Sequence, residues 1–234
     1  NQLVEPEYLL RLLLECNTAF GILANLADDM RNLQRSELSE VREAFDPSQV
    51  GSSTMPHKRN PWNWEHIKSL WKTYSPRVAT FYMDQISEHQ RDLTNSASSR
   101  FVAEYIAGLV AAFNRAHRIL GRVEPDVQAM TDNIARAGDL SLAEPAYILL
   151  ALSGLSDGHE RVRKATLEAQ ARRIALSDVL REDTGLWKEL ETECERRTGI
   201  DAESFFSDVT RYKGLAAEKA RSSANASRER IANI

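Results

Sequence analysis

The sequence predicts an all-α protein, and three observations carry that expectation. Apolar residues recur every third or fourth position over long stretches. No run alternates apolar and polar residues with period two. The breaks between helical stretches are built from Gly, Pro, Ser, Asp and Asn. Over residues 7–36 the recurring side chains are Leu9, Leu13, Cys16, Phe20, Leu23, Ala27, Met30 and Leu33. At 1.5 Å per residue this helix is roughly 40 Å long, which suits an elongated bundle rather than a compact globule. The pattern continues with more charge over 35–45, and residues 46–61 read as a loop. A second helix is expected with Asn60 as N-cap and Pro61 in its first position, running to about Ile86 with a bend near Pro76. A third is expected from about Ala97 to Leu120, stopping at Gly121. Shorter helical segments follow, at about 125–136, 143–153, 157–176, 178–182, 186–197, 201–209 and 214–231. The change from long to short helices places a domain boundary near residue 122.

Composition removes several function classes. A net charge of −4, with the 30 Lys and Arg residues dispersed, argues against a nucleic-acid partner. Cys16 and Cys194 are too few and too far apart for a disulfide framework or a zinc site, and read as thiols of a reducing compartment, the cytoplasm. The five histidines show no metal-ligand spacing, so neither metal nor cofactor is expected. No apolar run approaches the length of a membrane span and there is no signal peptide, so no membrane association is expected. The chain opens on Asn1-Gln2-Leu3 without an initiator Met and enters a helical pattern almost at once, as a fragment would.

The chemistry concentrates in one loop, GSSTMPHKRNP at 51–61. Taken singly, Ser52 reads as loop filler, Lys58 as a solvated charge, Met55 as packing and Asn60 as a helix cap. Their joint spacing says more. The stretch resembles the signature loop of the fumarase/aspartase superfamily, Gly-Ser, two residues, Met, two residues, Lys, one residue, Asn, and every fixed position matches at Gly51, Ser52, Met55, Lys58 and Asn60. Enzymes of this group remove a proton beside a carboxylate and expel a leaving group from the adjacent carbon. The resemblance implies that Ser52 is the base. A serine hydroxyl serves as a base only where its alkoxide is strongly stabilised. Lys58 supplies an ammonium for that purpose, and Asn60 an amide donor beside a helix N-terminus, a setting that favours anions. Ser53 and Met55 are implied as substrate contacts. Glu65, seven residues after Lys58, is implied as the partner that tunes a catalytic His; an ordinary role for it is as a carboxylate facing the positive end of a helix.

Two flanking stretches narrow the family. Residues 27–45, with Leu-Gln-Arg-Ser-Glu at 33–37, resemble the segment that precedes the loop in adenylosuccinate lyases. Residues 88–101, EHQRDLTNSASSRF, resemble that family's segment for the substrate phosphate, through Arg91, Ser96 and Arg100, with Gln90 departing from the Glu common before the Arg. Thr94, Asn95 and Ser96 are N-cap types, so a helix N-terminus and two guanidiniums would form an anion pocket there. Of the histidines, His57 is expected to shape the loop and His89 to line the pocket, while His66, His117 and His159 are expected to be structural or exposed. The family's general acid is a His in an upstream segment that has no match here.

The resemblance implies residues 1–121 as the C-terminal part of a central long-helix domain and 122–234 as a small helical domain. It implies a succinylated purine nucleotide as substrate, β-elimination to AMP and fumarate in purine biosynthesis, and a homotetramer with shared active sites. The stripe Leu9-Leu13-Cys16-Phe20-Leu23 is expected to be covered by other subunits, and the chain by itself is expected to associate without catalysing. Argininosuccinate lyase and carboxymuconate cycloisomerase carry the same loop, and a non-catalytic helical assembly protein on the same scaffold is a further alternative. Arg91, Ser96 and Arg100 favour a phosphate-bearing substrate over the first two.

Overall fold

The computed structural model describes residues 6–44, 60–86 and 93–233. Ser52, Ser53, Met55, Lys58 and Arg91 lie outside the described residues, as do His57 and His89. The described chain is helical apart from one pair of short strands, and it divides into two compact units, through Met130 and from Thr131.

The first unit is built on α1 (Pro6–Leu33), α2 (Trp62–Tyr74), α3 (Arg77–Met83) and α4 (Phe101–Leu120), the last entered through a 3-10 turn at Ser98–Arg100. Strand β1 (Val41–Glu43) pairs antiparallel with β2 (Val123–Pro125), Arg42 opposite Glu124. Three residues a side are too few to leave an alternating pattern, so this sheet was not visible in the sequence. Its pairing holds residues 123–125, which follow the boundary expected near 122, to the first unit.

Several helix limits differ from expectation for identifiable reasons. The helix α1 stops at Leu33: the amide of Glu40 returns to the Leu33 carbonyl (2.9 Å), and Ser39 takes a left-handed φ of 52°, so 34–38 form turns rather than more helix. The second helix is two. Pro76 has no N–H to donate, and short-range bonds from Val78 to Ser75 (3.1 Å) and Ala79 to Pro76 (3.2 Å) carry the chain from α2 into α3. Pro61, rather than Asn60, is the N-cap of α2: its carbonyl accepts the first helical bond from the Glu65 amide (3.0 Å), and no side chain caps the turn.

Two apolar clusters hold this unit. At one end Phe20, Leu23, Ala27 and Met30 of α1 meet Trp64 and Ile67 of α2 and Ala112, Ala116 and Ile119 of α4. At the other Leu10 and Leu13 meet Phe81 and Tyr105, whose rings cross edge to face at 5.5 Å. Midway, Gly108 lets Tyr74 lie against the α4 backbone, where a Cβ would sit 2.3 Å from the tyrosine ring. Much of the stripe predicted on α1 is thus covered from within the chain: Leu13, Phe20 and Leu23 are buried, whereas Leu9 is exposed and Leu10 takes its place in the core. By length and composition α1 is apolar enough to cross a membrane, contrary to the sequence expectation, but its buried face is the spine of this core.

The second unit follows α5 (Val127–Ala137), which spans the division. It comprises α6 (Ala143–Leu152), α7 (Gly158–Arg172), α8 (Leu176–Glu182), α9 (Thr184–Thr198), α10 (Ala202–Phe206) and α11 (Ala216–Ala232). One continuous cluster, including Leu142, Leu150, Leu180, Leu190, Cys194 and Phe206, fills it. The helix α7 ends at Arg172, short of the expected 176, because Arg173 turns left-handed at φ 55°. Gly199 does the same after α9 at φ 69°. The helix α11 buries no residue.

Candidate active site

Asn60, just before α2, and Glu65, in its first turn, line a cavity of about 410 Å³. Its other wall is the end of α1 and the turn segment after it, lined by Arg31, Gln34, Arg35 and Glu37. The Leu33–Glu37 stretch singled out by sequence therefore lies directly beside the last signature residue, Asn60, and beside Glu65. Asn60 and Glu65 are both exposed. Local bonds shape the opposite wall: Gln34 donates to the Met30 carbonyl (3.2 Å), and the amides of Leu38 and Ser39 donate to the Arg35 carbonyl (2.9 and 2.7 Å). Behind it Asp28 accepts from Arg31 (2.8 Å) and from Lys68 of α2, tying the end of α1 to α2. The cavity lining is mixed: Arg31 and Arg35 are each paired with a carboxylate, Asp28 and Glu37, and face the Asn60 amide and the Glu65 carboxylate. The remaining signature groups, Ser52 and Lys58, belong to the chain between Ala44 and Asn60 and lie outside the described residues.

Ser96 and Arg100 do not share this cavity. They lie at the opposite end of α4, where both are exposed. Arg115, on the same helix, donates to the Asn63 side chain of α2 at 2.8 Å. The 15 residues from Arg100 to Arg115 span roughly 22 Å of helix. Along α2 and α3 the partners on α4 run backwards, Asn63 with Arg115, Tyr74 with Gly108 and Phe81 with Tyr105, as antiparallel packing requires. The two groups of site residues are thus held apart by the length of the bundle. The expected N-terminal anion pocket of α4 also differs in detail. Asn95 does not cap. Its side chain donates to the Asp84 carbonyl (2.8 Å), and its own carbonyl accepts from Ser98 Oγ (3.1 Å) and the Ser99 amide (3.0 Å). The residue at the α4 N-cap is Arg100, without a side-chain cap. A 3-10 turn has taken the place of the capped first turn.

Sequence reasoning missed a second polar cluster beside the site. Glu43 of β1 accepts from Asn63 Nδ2 at 2.8 Å, and Asn63 Oδ1 in turn accepts from Arg115. Arg115 also lies over the Trp62 ring at 5.1 Å. Burial pushes the Glu43 carboxyl up from its usual range, opposed by the Asn63 hydrogen bond and the Arg115 charge. Burial, and then Arg118 beside it, draws the Arg115 guanidinium down. No sequence signal announces this cluster, because its members come from three separate elements. Histidines 66, 117 and 159 are exposed on helices, and no group of acidic, His or Cys side chains among the described residues could hold a metal.

A lyase family model matches residues 1–72, and a model described as adenylosuccinate lyase C-terminal matches residues 87–199. The adenylosuccinate lyase of Pyrococcus horikoshii is 32% identical over 193 residues, which is 81% of this chain and 43% of that protein. The Archaeoglobus fulgidus adenylosuccinate lyase is 31% identical over 171 residues, 71% of this chain and 38% of that protein. The chain therefore spans less than half the length of these relatives. Among solved structures, the 3-carboxy-cis,cis-muconate lactonizing enzyme of Pseudomonas putida superposes with a TM-score of 0.69 at 27% identity, over 89% of this chain and 45% of that one. A fumarate lyase of Mesorhizobium sp. BNC1 shares the fold, with a TM-score of 0.72 at 20% identity, over 91% of this chain and 45% of that one. With both halves matched in this way, the chain belongs to the adenylosuccinate lyase family.

Proposed function

We propose that this chain forms part of an enzyme that cleaves adenylosuccinate to AMP and fumarate, and the succinylated aminoimidazole carboxamide ribotide to its carboxamide and fumarate, in purine nucleotide biosynthesis. The observation that carries the reading is the run Gly51, Ser52, Met55, Lys58 and Asn60, which ends where Asn60 and Glu65 face the Leu33–Glu37 turn. Ser52 takes the proton from the carbon beside a substrate carboxylate. Lys58 and Asn60 hold the negative charge that gathers on that carboxylate. As the C–N bond breaks, its electron pair leaves with the purine amine, the carbon–carbon double bond of fumarate forms, and a His from an upstream segment protonates the amine. Glu65 tunes a catalytic His, while Ser53, Met55, Arg91, Ser96 and Arg100 contact substrate, the last three at its phosphate.

The distance between the two groups of site residues supports a shared site. Arg100 lies roughly 22 Å along α4 from Arg115, whose partner Asn63 stands in the turn next to Asn60, so the two ends of the substrate site come from different copies; the assembly is read as a cytoplasmic homotetramer. The exposed apolar side chains Tyr8, Leu12, Ile22, Tyr82, Met83 and Phe113 supply surface for that assembly.

A muconate-type cycloisomerase is the second reading, favoured by the 27% identity to the Pseudomonas putida enzyme. The deciding experiment uses the full-length protein. Ser52→Ala should lower adenylosuccinate turnover by about a thousandfold or more while AMP still binds. Arg100→Ala should weaken AMP binding by about 1.5–3 kcal/mol and leave fumarate binding alone. Unchanged AMP binding by Arg100→Ala would turn the assignment toward the cycloisomerase.

A further inference from the structure

The first turn of α2 bears Glu65 and directly follows Asn60, yet among the described residues no local side chain caps it. Its N-cap is a proline, and no side chain caps its free amides. Uncapped helix ends fray, and a turn that carries reacting groups must not. What holds this turn is tertiary. Asn63 donates its amide to Glu43 of β1 and accepts from Arg115 of α4, both at 2.8 Å. One side chain thus ties the turn to the strand before the signature segment and to the helix behind it. Trp62 beneath Arg115 and the fully buried Trp64 complete the hold.

The bridge has a chemical polarity. A carboxylate and a guanidinium are joined through an amide whose two ends are assigned by their partners: nitrogen toward Glu43, oxygen toward Arg115. The second Glu43 oxygen, Oε1, is buried with no partner among the described residues. Among the described residues, Arg115, Arg118 and Arg122 line the cavity that Glu43 borders, and the charge of the Glu65 carboxylate works against ionisation of Glu43. The bridge is therefore coupled to a site residue through charge as well as through the backbone.

We propose that Asn63 is a positioning residue of the reaction site, acting through Glu43 and Arg115 to fix the turn that presents Asn60 and Glu65. The role rests on the lyase reading of that site. Removing the donor end while keeping the shape isolates it. Asn63→Asp still accepts from Arg115 but turns a carboxylate toward the Glu43 carboxylate. Adding Glu43→Gln restores a donor, from Gln at 43 to Asp at 63, so the double variant is fully paired with the polarity reversed.

In the full-length protein, Asn63→Asp should lower kcat on adenylosuccinate at least tenfold with KM changed less than threefold, and the double variant should return kcat to within threefold of the parent. On residues 1–234, without substrate, hydrogen exchange at the Glu65 amide should quicken at least tenfold in Asn63→Asp and recover in the double variant. Unchanged kcat in Asn63→Asp, or a double variant no better than the single one, overturns the positioning role. If the single variant does not fold, a folded double variant with parental kcat supports the role and one with tenfold lower kcat overturns it. A parent that leaves adenylosuccinate intact removes the lyase reading instead, and Glu65 exchange then decides the anchor alone, unchanged exchange overturning it.

Discussion

The two units solve the same problem, holding helices in register, by different means. The second unit writes part of the answer locally, although α6, α7, α8 and α11 begin without a capping side chain. Asp183 caps α9 through the Leu186 amide (3.0 Å), Asp201 caps α10 through Ser204 (2.7 Å), and Asp208 opens the last 3-10 turn through Thr210 (3.0 Å). Ion pairs such as Arg172 with Glu182 and Arg181 with Glu203, each at 2.6 Å, clasp neighbouring helices over one continuous core. In the first unit α2, α3 and α4 begin without a capping side chain. Two separate apolar clusters and a few cross-helix polar contacts hold them. The carboxylates tell the same story: hydrogen bonds from Ser204 hold Asp201 below its usual range, and Arg172 does so for Glu182, whereas burial holds Glu43 above its own. The unit that carries Asn60 and Glu65 depends on contacts between distant parts of the chain. The other adds local caps and ion pairs to its one core.

If that contrast is right, the largest effect should come from a single large side chain in the first unit. Phe20 is fully buried at the centre of its cluster, and Phe20→Ala should cost about 3–5 kcal/mol. Trp62, Trp64 and Trp71 lie in the first unit and Trp187 in the second. Fluorescence of the two sets, isolated by replacing one set with Phe, should show the first transition moving to lower urea and the second staying in place. A common shift of both would break the comparison, since the units would then unfold as one.

A smaller effect tests the local side. Asp183→Ala removes the cap of α9 and should cost about 1 kcal/mol, read as a shift of the Trp187 transition alone. The smallest is a gain. Arg173 occupies a left-handed position that Gly199 fills on the next helix. Arg173→Gly should stabilise the second unit by about 0.5–1 kcal/mol, measured by the same transition. A loss there would mean that the Arg173 side chain contributes more than its backbone costs.

What could be read from sequence follows the same division. Helices declared themselves wherever one face is apolar at helical spacing, so α1, α4 and the segments of the second unit were legible to within a few residues. Limits set by long-range pairing were not. The end of α1 depends on turns that lead into β1, and β1 exists only because Val123 to Pro125 returns alongside it. The site was legible as chemistry through residue types at fixed spacing, as with Asn60, Glu65 and the 33–37 turn. It was not legible as geometry. Nothing in the order of residues says that Arg100 lies a helix length from Asn60, or that Asn63 bridges Glu43 and Arg115, because those facts depend on how antiparallel helices slide past one another.

The strand pair carries a consequence for the order in which the molecule assembles. Arg42 and Glu124 are 82 positions apart in the chain, and three residue pairs of ribbon are too weak to close such a loop unaided. The ribbon must therefore zip late, after α1, α2 and α4 have already docked and brought its two halves within reach. Until then Glu43 stays in water, ionised and without Asn63. The loss of hydration that raises its proton affinity belongs to the final stage of folding. In a kinetic experiment, substitutions in β1 or β2 should chiefly speed unfolding and leave the folding limb unmoved, whereas those at the Phe20 cluster should slow folding itself.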